Sequence, residues 1–313
     1  MTDYPPNVLS GSCTGSIRSI FAPREALRDQ WYTAQIPESK SSWRRIQMSK
    51  VERLVACVLF AMPLLCAPAS SFAQSPFNGT WRTNMDQSKL SPKPYVFSVN
   101  GGMYDCSSCS PKIHVKANGQ DQPVTGQPYD TISVREVDPK SIVVTTKKSG
   151  KTVNEQTRTV SDDGNTLTYK ITSHAENSDQ TVSVEVTYTR VGKAPAGANG
   201  TSGSWRINKA QESENGLTTT YTSSGDELSM STPTGESYTA KLDGKDYPFK
   251  GSYFYNSVSL RRINARTIEE ADKRDGKVVY ILKMTVSADG KKMTEVVTSK
   301  LTGATSTLVA EKQ

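Results

Sequence analysis

A chain of 313 residues with 35% hydrophobic and 8% aromatic side chains, five cysteines and a formal charge of +7 has the composition of a globular protein, not of a disordered or collagen-like one. Its length suits one large domain or two small ones. The 16 prolines and 21 glycines are scattered, and a single apolar stretch raises a membrane question.

In chain order, residues 1–47 precede a complete export signal and read as a non-native N-terminal extension, because such a signal normally opens the chain. A genuine cytosolic extension with a short helix around Arg24 to Trp31 is the alternative. Translation from Met48 gives Met48-Ser49-Lys50-Val51-Glu52-Arg53 as a charged lead, Leu54 to Ala67 as an apolar middle and Ser71-Phe72-Ala73 as a small-residue exit. Residues 48–73 therefore predict a signal peptide cleaved after Ala73, and the mature chain is expected to be secreted or periplasmic. About 14 apolar residues reach roughly 21 Å as a helix, short of a hydrocarbon core near 30 Å, so no transmembrane segment is expected in the mature chain. Leu65 before Cys66 lacks the small side chain that a lipoprotein signal needs. The first 73 residues carry eight of the 38 Lys/Arg and five of the 31 Asp/Glu, which leaves a mature charge of +4. That is too mild for a nucleic-acid partner. Cys13, Cys57 and Cys66 go with the leader, and Cys106 and Cys109 remain.

The mature chain is written twice. Gly79-Thr80-Trp81-Arg82-Thr83-Asn84 returns as Gly203-Ser204-Trp205-Arg206-Ile207-Asn208, Asn118 to Gly126 returns as Asp243 to Gly251, and Thr159 to Gly164 returns as Thr285 to Gly290. The offsets of 124, 125 and 126 keep order and spacing. They define a β domain over 77–193, a linker at 194–202 within the Gly/Ala/Pro-rich run Val191 to Ser202, and a β domain over 203–313. Val182, Val184, Val186 and Tyr188 alternate with polar neighbours, as do Val278, Tyr280, Leu282, Met284 and Val286, the mark of antiparallel strands wet on one face. Asn118-Gly119, Asp163-Gly164, Asp243-Gly244 and Asp289-Gly290 supply the positive φ of tight hairpins. About eight short strands per copy, fed by hairpins, predict a sheet that closes on itself. The expected class is all-β, two tandem antiparallel β-barrels, each built around its own tryptophan; a β-sandwich gives the same alternation. An outer-membrane barrel fits less well, since the strands are short and turn Ser, Thr and Lys outward.

Chemistry is sparse. Cys106-Ser107-Ser108-Cys109 reads as a local disulfide, because the flanks Tyr104-Asp105 and Ser110-Pro111 read as a turn without the helix N-terminus or cation that activates a thiol. Zinc would need four ligands, and Cys106, Cys109 and His114 supply three. The second copy has Met230 and Pro233 near the cysteine positions. His114 falls in an alternating segment and His174 in a polar loop beside Glu176. No nucleophile motif is present, so neither catalysis nor a cofactor is expected. The repeated loop Asp121/Pro123/Gly126 and Asp246/Pro248/Gly251 reads as turn chemistry or as the rim of a ligand mouth, with Tyr247, Phe249, Tyr253, Phe254 and Tyr255 as an aromatic edge. Lys147 to Lys151 and Lys273 to Lys277 read as solvated hairpin tips.

Gly79-x-Trp81 and Gly203-x-Trp205, each preceding a β meander, resemble the lipocalin-like group of calycins; the family's middle turn signature is missing. The resemblance implies that each tryptophan closes one barrel end under a basic residue from the last strand, Arg190 over Trp81 and Lys312 over Trp205. It also implies a small apolar or amphipathic ligand, bound without catalysis. The alternative is a structural or adhesive cell-envelope module whose barrels are filled by their own side chains. Neither reading names a protein partner.

Overall fold

The computed structural model describes residues 75–192 and 195–313; the extension and the signal peptide read from the sequence lie outside them. The first repeat forms β1 (Gly79–Thr83), β2 (Tyr95–Asn100), β3 (Met103–Cys106), β4 (Ile113–Lys116), β5 (Gln122–Pro123), β6 (Thr131–Asp138), β7 (Ser141–Lys148), β8 (Lys151–Val160), β9 (Thr166–His174) and β10 (Thr181–Arg190). The second forms β11 (Gly203–Glu212), one helical turn α1 (Glu214–Leu217), β12 (Thr218–Ser224), β13 (Glu227–Ser231), β14 (Ser237–Lys241), β15 (Asp243–Lys250), β16 (Ser257–Asn264), β17 (Thr267–Arg274), β18 (Lys277–Val286), β19 (Lys292–Ser299) and β20 (Thr305–Lys312). Each repeat forms ten strands in place of the expected eight, the shortest being β5 with two residues.

The strands make two barrel-like antiparallel sheets, not a sandwich. One is closed in the order β1-β12-β13-β14-β15-β16-β17-β18-β19-β20; the other, nearly closed, runs β4-β3-β2-β11-β10-β9-β8-β7-β6-β5. We call the sheet of β2 to β11 the first barrel and the closed sheet the second. Val182, Val184, Val186 and Tyr188 point inward on β10 as the alternation requires, whereas on β18 a register shift opposite Asp272/Lys273 buries Val279 in place of the expected Val278 before Tyr280, Leu282, Met284 and Val286 resume the period. Hairpins turn at glycines with positive φ, such as Gly164 (73°) and Gly290 (71°).

The repeats do not coincide with the barrels. Their opening strands are exchanged: β1 pairs with β12 and β20 of the second barrel, and β11 pairs with β10 and β2 of the first. The first barrel is thus one continuous run from Tyr95 to Glu212, inserted between β1 and the rest of the second barrel. Local structure explains this. The segment expected to be a free linker is docked: Asn199 Nδ2 donates to Asp138 O (2.8 Å), Gly200 N to Pro139 O (2.8 Å), and Thr201 and Ser202 are fully buried. The chain therefore turns directly from β10 into β11, which pairs back along it from Arg190↔Trp205 to Val184↔Glu212. It reaches the second barrel only afterwards, through α1.

Each barrel encloses its own apolar core. Tyr95, Phe97, Tyr104, Ile142, Leu167 and Trp205 fill the first; Phe77, Trp81, Tyr221, Leu228, Leu260 and Met284 belong to the second. Val153 of β8 packs with the second core, and Tyr129 packs against both, so the barrels share a contact. Two expectations change. Phe249, Tyr253, Phe254 and Tyr255 are buried in the second core, with Phe249 and Tyr255 edge to face at 4.5 Å, and form no exposed aromatic edge. The tip Lys273 to Lys277 is only partly solvated, because the β17 pleat turns Arg274 inward to 9% exposure.

Candidate functional site

At one end of each barrel a cation lies over an indole, with partners opposite to those expected. Arg190 Cζ is 4.0 Å from the Trp205 ring centroid, and Lys312 Nζ is 5.3 Å from that of Trp81. Strand exchange is the cause, since it registers Arg190 with Trp205 and Lys312 with Trp81. The glycine of Gly-x-Trp then has a physical reason. Gly79 (φ 124°) and Gly203 (φ 134°) sit where a Cβ would come within 2.6 Å of Lys312 Cε and Arg190 Nη1. Each indole N–H donates to a carbonyl four residues earlier, Phe77 O and Thr201 O, both at 2.8 Å. These are structural ends.

The repeated loop is an anchor in both copies. Lys147 Nζ pairs with Asp121 at 2.6 Å, and Lys273 pairs with Asp246 in the same way. Pro123 lies in β5 and Pro248 in β15. Gly126 and Gly251, both with positive φ, leave room for close neighbours: an added Cβ would lie 2.7 Å from Pro111 Cγ and 2.5 Å from Gly235 O. Cys106 and Cys109 form a disulfide between the end of β3 and the adjoining turn. His114 faces outward on β4 and pairs with Asp105; His174 ends β9 instead of lying in a loop, 4.0 Å from Glu155. Among the described residues no cluster of three or more His, Cys, Asp or Glu is placed to hold a metal ion.

The most unusual chemistry lies inside the first barrel, at a residue that no motif or spacing in the sequence singles out. Arg158 on β8 points inward and is 3% exposed. Its guanidinium lies 4.6 Å from the Tyr169 ring centroid, 4.9 Å from that of Phe97, and 5.6 and 5.7 Å from those of Tyr95 and Tyr104. Nη1 donates to Tyr104 Oη (3.1 Å), while Nη2 and Nε donate to Gln156 Oε1 (2.8 and 3.3 Å). Among the described residues it has no carboxylate within ion-pair distance. Burial opposes its charge, and the hydrogen bond to Tyr104 favours it. Burial likewise pushes the Tyr104 and Tyr169 phenols well up, so both stay protonated. Tyr169 Oη is buried and makes no hydrogen bond in the structure.

The second barrel supplies an internal comparison. Arg158 stands opposite Ile142 and Tyr169; Met284 stands opposite Ile268 and Glu295 at the matching register. By the same ladders Tyr104 corresponds to Leu228 and Tyr95 to Thr219. Met284 is fully buried. One fold thus accepts an apolar residue where the first barrel keeps a caged cation. Aligning the copies would have revealed this, since Arg158 precedes Thr159-Val160-Ser161 as Met284 precedes Thr285-Val286-Ser287.

The first barrel also closes differently. Between β4 and β5 the Gln122 side chain substitutes for a backbone ladder: Lys116 N donates to its Oε1 (2.9 Å) and its Nε2 donates to Lys116 O (2.6 Å). Gln127 Nε2 donates to Pro111 O (2.5 Å) beside it. No family model, curated protein or solved structure matches this chain.

Proposed function

We propose that this is an exported binding protein that holds a small amphipathic molecule by an acidic head inside the first barrel, without transforming it. The observation that carries the reading is the Arg158 guanidinium, buried among phenols without a carboxylate. Burying a cation costs several kcal/mol unless it is paired, and aromatic faces and neutral acceptors offset only part of that. An anionic head would complete the pairing, accepting from guanidinium N–H groups and from the Tyr169 hydroxyl, while the apolar remainder replaces lumen contacts. The lipocalin-like resemblance of the Gly-x-Trp motifs agrees with a carrier, and the sequence's leader with export.

Dodecanoate, dodecanol and dodecyltrimethylammonium, titrated into the mature protein and followed by intrinsic fluorescence, test the head-group preference. Dodecanoate is expected to bind at least tenfold more tightly than the other two, since a hydrogen bond to a charged group contributes about 1.5–3 kcal/mol. Arg158→Met should abolish that preference and keep the fold, as Met284 does in the second barrel. Equal affinity for the three heads, or a preference that survives Arg158→Met, refutes the reading.

A structural or adhesive role is favoured by a different observation. The lumen side chains are tightly buried, and concave surfaces of about 640 and 400 Å³ lie on outer faces of the sheets, the first lined by Thr145, Thr157, Lys170 and Glu185, the second by Thr220, Ser229 and Thr239. This reading predicts no response to any of the three amphiphiles.

A further inference from the structure

We propose that the β4/β5 seam is the entry to the first barrel, with Gln122 as its latch and Gln127 as a second tie; the inference rests on the reading of the lumen above. Every other pair of neighbouring strands in either barrel is joined by backbone pairing, and the corresponding junction of the second barrel is closed by Ser237↔Lys250 and Tyr238↔Phe249. Only at β4/β5 do side-chain amides replace the ladder. The difference is physical. A backbone ladder opens only if strands move, whereas a glutamine releases both of its bonds by changing rotamer.

The seam leads to the right place. Behind β4 lies β3, whose Tyr104 hydroxyl accepts from Arg158, so one strand separates the opening from the cage. Outside, Lys112 before β4 and Lys116 at its end are both exposed and present positive charge to an arriving anion. Inside the seam Ile113 and Val115 face the core and suit an apolar tail. A packed lumen and a buried cation are compatible with binding when one seam can part, and this seam has no ladder between its own two strands, its turn alone being tied to β6 by Gly119 N donating to Val134 O (2.7 Å).

The test is Gln122→Ala, with Gln122→Ala/Gln127→Ala as the stronger variant, in the full mature chain. In stopped-flow measurements with dodecanoate, association and dissociation should both accelerate by roughly tenfold, from loss of two hydrogen bonds each contributing a few-fold, while Kd stays within about twofold. Unchanged rates, or a changed Kd at constant association rate, overturn the entry role. Hydrogen exchange of the ligand-free protein gives an independent arm. Amides of β3 and β4 other than Lys116 should exchange faster in the variant, and those of β14 should not change. If dodecanoate fails to bind the parent chain, the lumen reading fails by itself. Hydrogen exchange then still decides whether the seam opens, and unaltered β3 and β4 amides overturn the inference.

Discussion

Trp205→Ala should destabilise a barrel built almost entirely from the other repeat. Trp205 is fully buried, its N–H donates to Thr201 O at 2.8 Å, and Arg190 Cζ lies 4.0 Å from its ring centroid. Emptying such a site costs about 3–5 kcal/mol, and the upper end applies because a hydrogen bond and a cation–π contact are lost with the volume. Against a domain stability of about 5–15 kcal/mol, such a loss removes between about a fifth and all of the margin. Because β11 lies between β10 and β2, the damage should appear across 95–190, whereas 218–312, the remainder of the repeat that contains Trp205, should keep its protection. Hydrogen exchange with peptide resolution reads both regions in one sample. Loss of protection concentrated in 218–312, with 95–190 unaffected, would refute the exchange of opening strands.

A fragment spanning 92–213 contains every strand of the first barrel and should melt cooperatively by itself, while 77–193 and 203–313 should each fail to do so and should regain structure when mixed; circular dichroism melts of the three fragments and the mixture check this. Acid should weaken the β8–β9 and β18–β19 hairpins together. Asp163 and Asp289 accept hydrogen bonds from Ser161 and Ser287 and from the backbone N–H groups of Asn165 and Lys291, which hold both carboxyls below their ordinary value of 3.8. A depressed folded-state pKa gives stability that is present above the unfolded value and lost as pH falls through the folded one, so the loss begins below about pH 4. In Asp163→Asn/Asp289→Asn the urea midpoint between pH 2 and 6 should fall less steeply than in the parent; parallel curves count against these carboxylates.

The duplication, the antiparallel class and the hairpin turns could be read from residues because each depends on local spacing. The alternation of Val182 to Tyr188 sets which face is buried, and Asp163-Gly164 sets where the chain reverses, whatever the strand pairs with. Strand exchange leaves those signals untouched. Trp81 and Trp205 are buried under a cation in either arrangement, so self-similarity at offsets of 124 to 126 finds the copies without their pairing. What decides the pairing is the docking of Asn199 to Ser202, polar and small residues whose composition resembles a flexible linker. Tyr253-Phe254-Tyr255 misled for a related reason, since consecutive aromatics carry no period and burial there is set by tertiary packing. Arg158 lies in phase with the inward Gln156 and Val160 of β8, but a lone arginine in a Thr-rich strand carries no signal of burial in the sequence unless Met284 of the second copy is set beside it.

Two features that cost stability fall in the same barrel. A carboxylate-free guanidinium at Arg158 and a seam held by Gln122 are each less stable choices than what the second barrel uses at the matching places, Met284 and the β14–β15 ladder. The second barrel therefore shows that the same fold, in the same chain, accepts an apolar residue at the first place and a backbone ladder at the second, although it buries Glu270, Asp272 and Glu295 elsewhere. A fold-wide constraint cannot account for the difference, because it would act on both copies. The second barrel is also the frame, since it holds β1 and β20 as paired neighbours and carries the first as an insertion. With the frame secured elsewhere, the inserted barrel can tolerate a buried cation and a weak seam, and functional sites are drawn from the low-stability parts of proteins. The asymmetry between copies, more than any single contact, is what supports the proposal of a working site around Arg158.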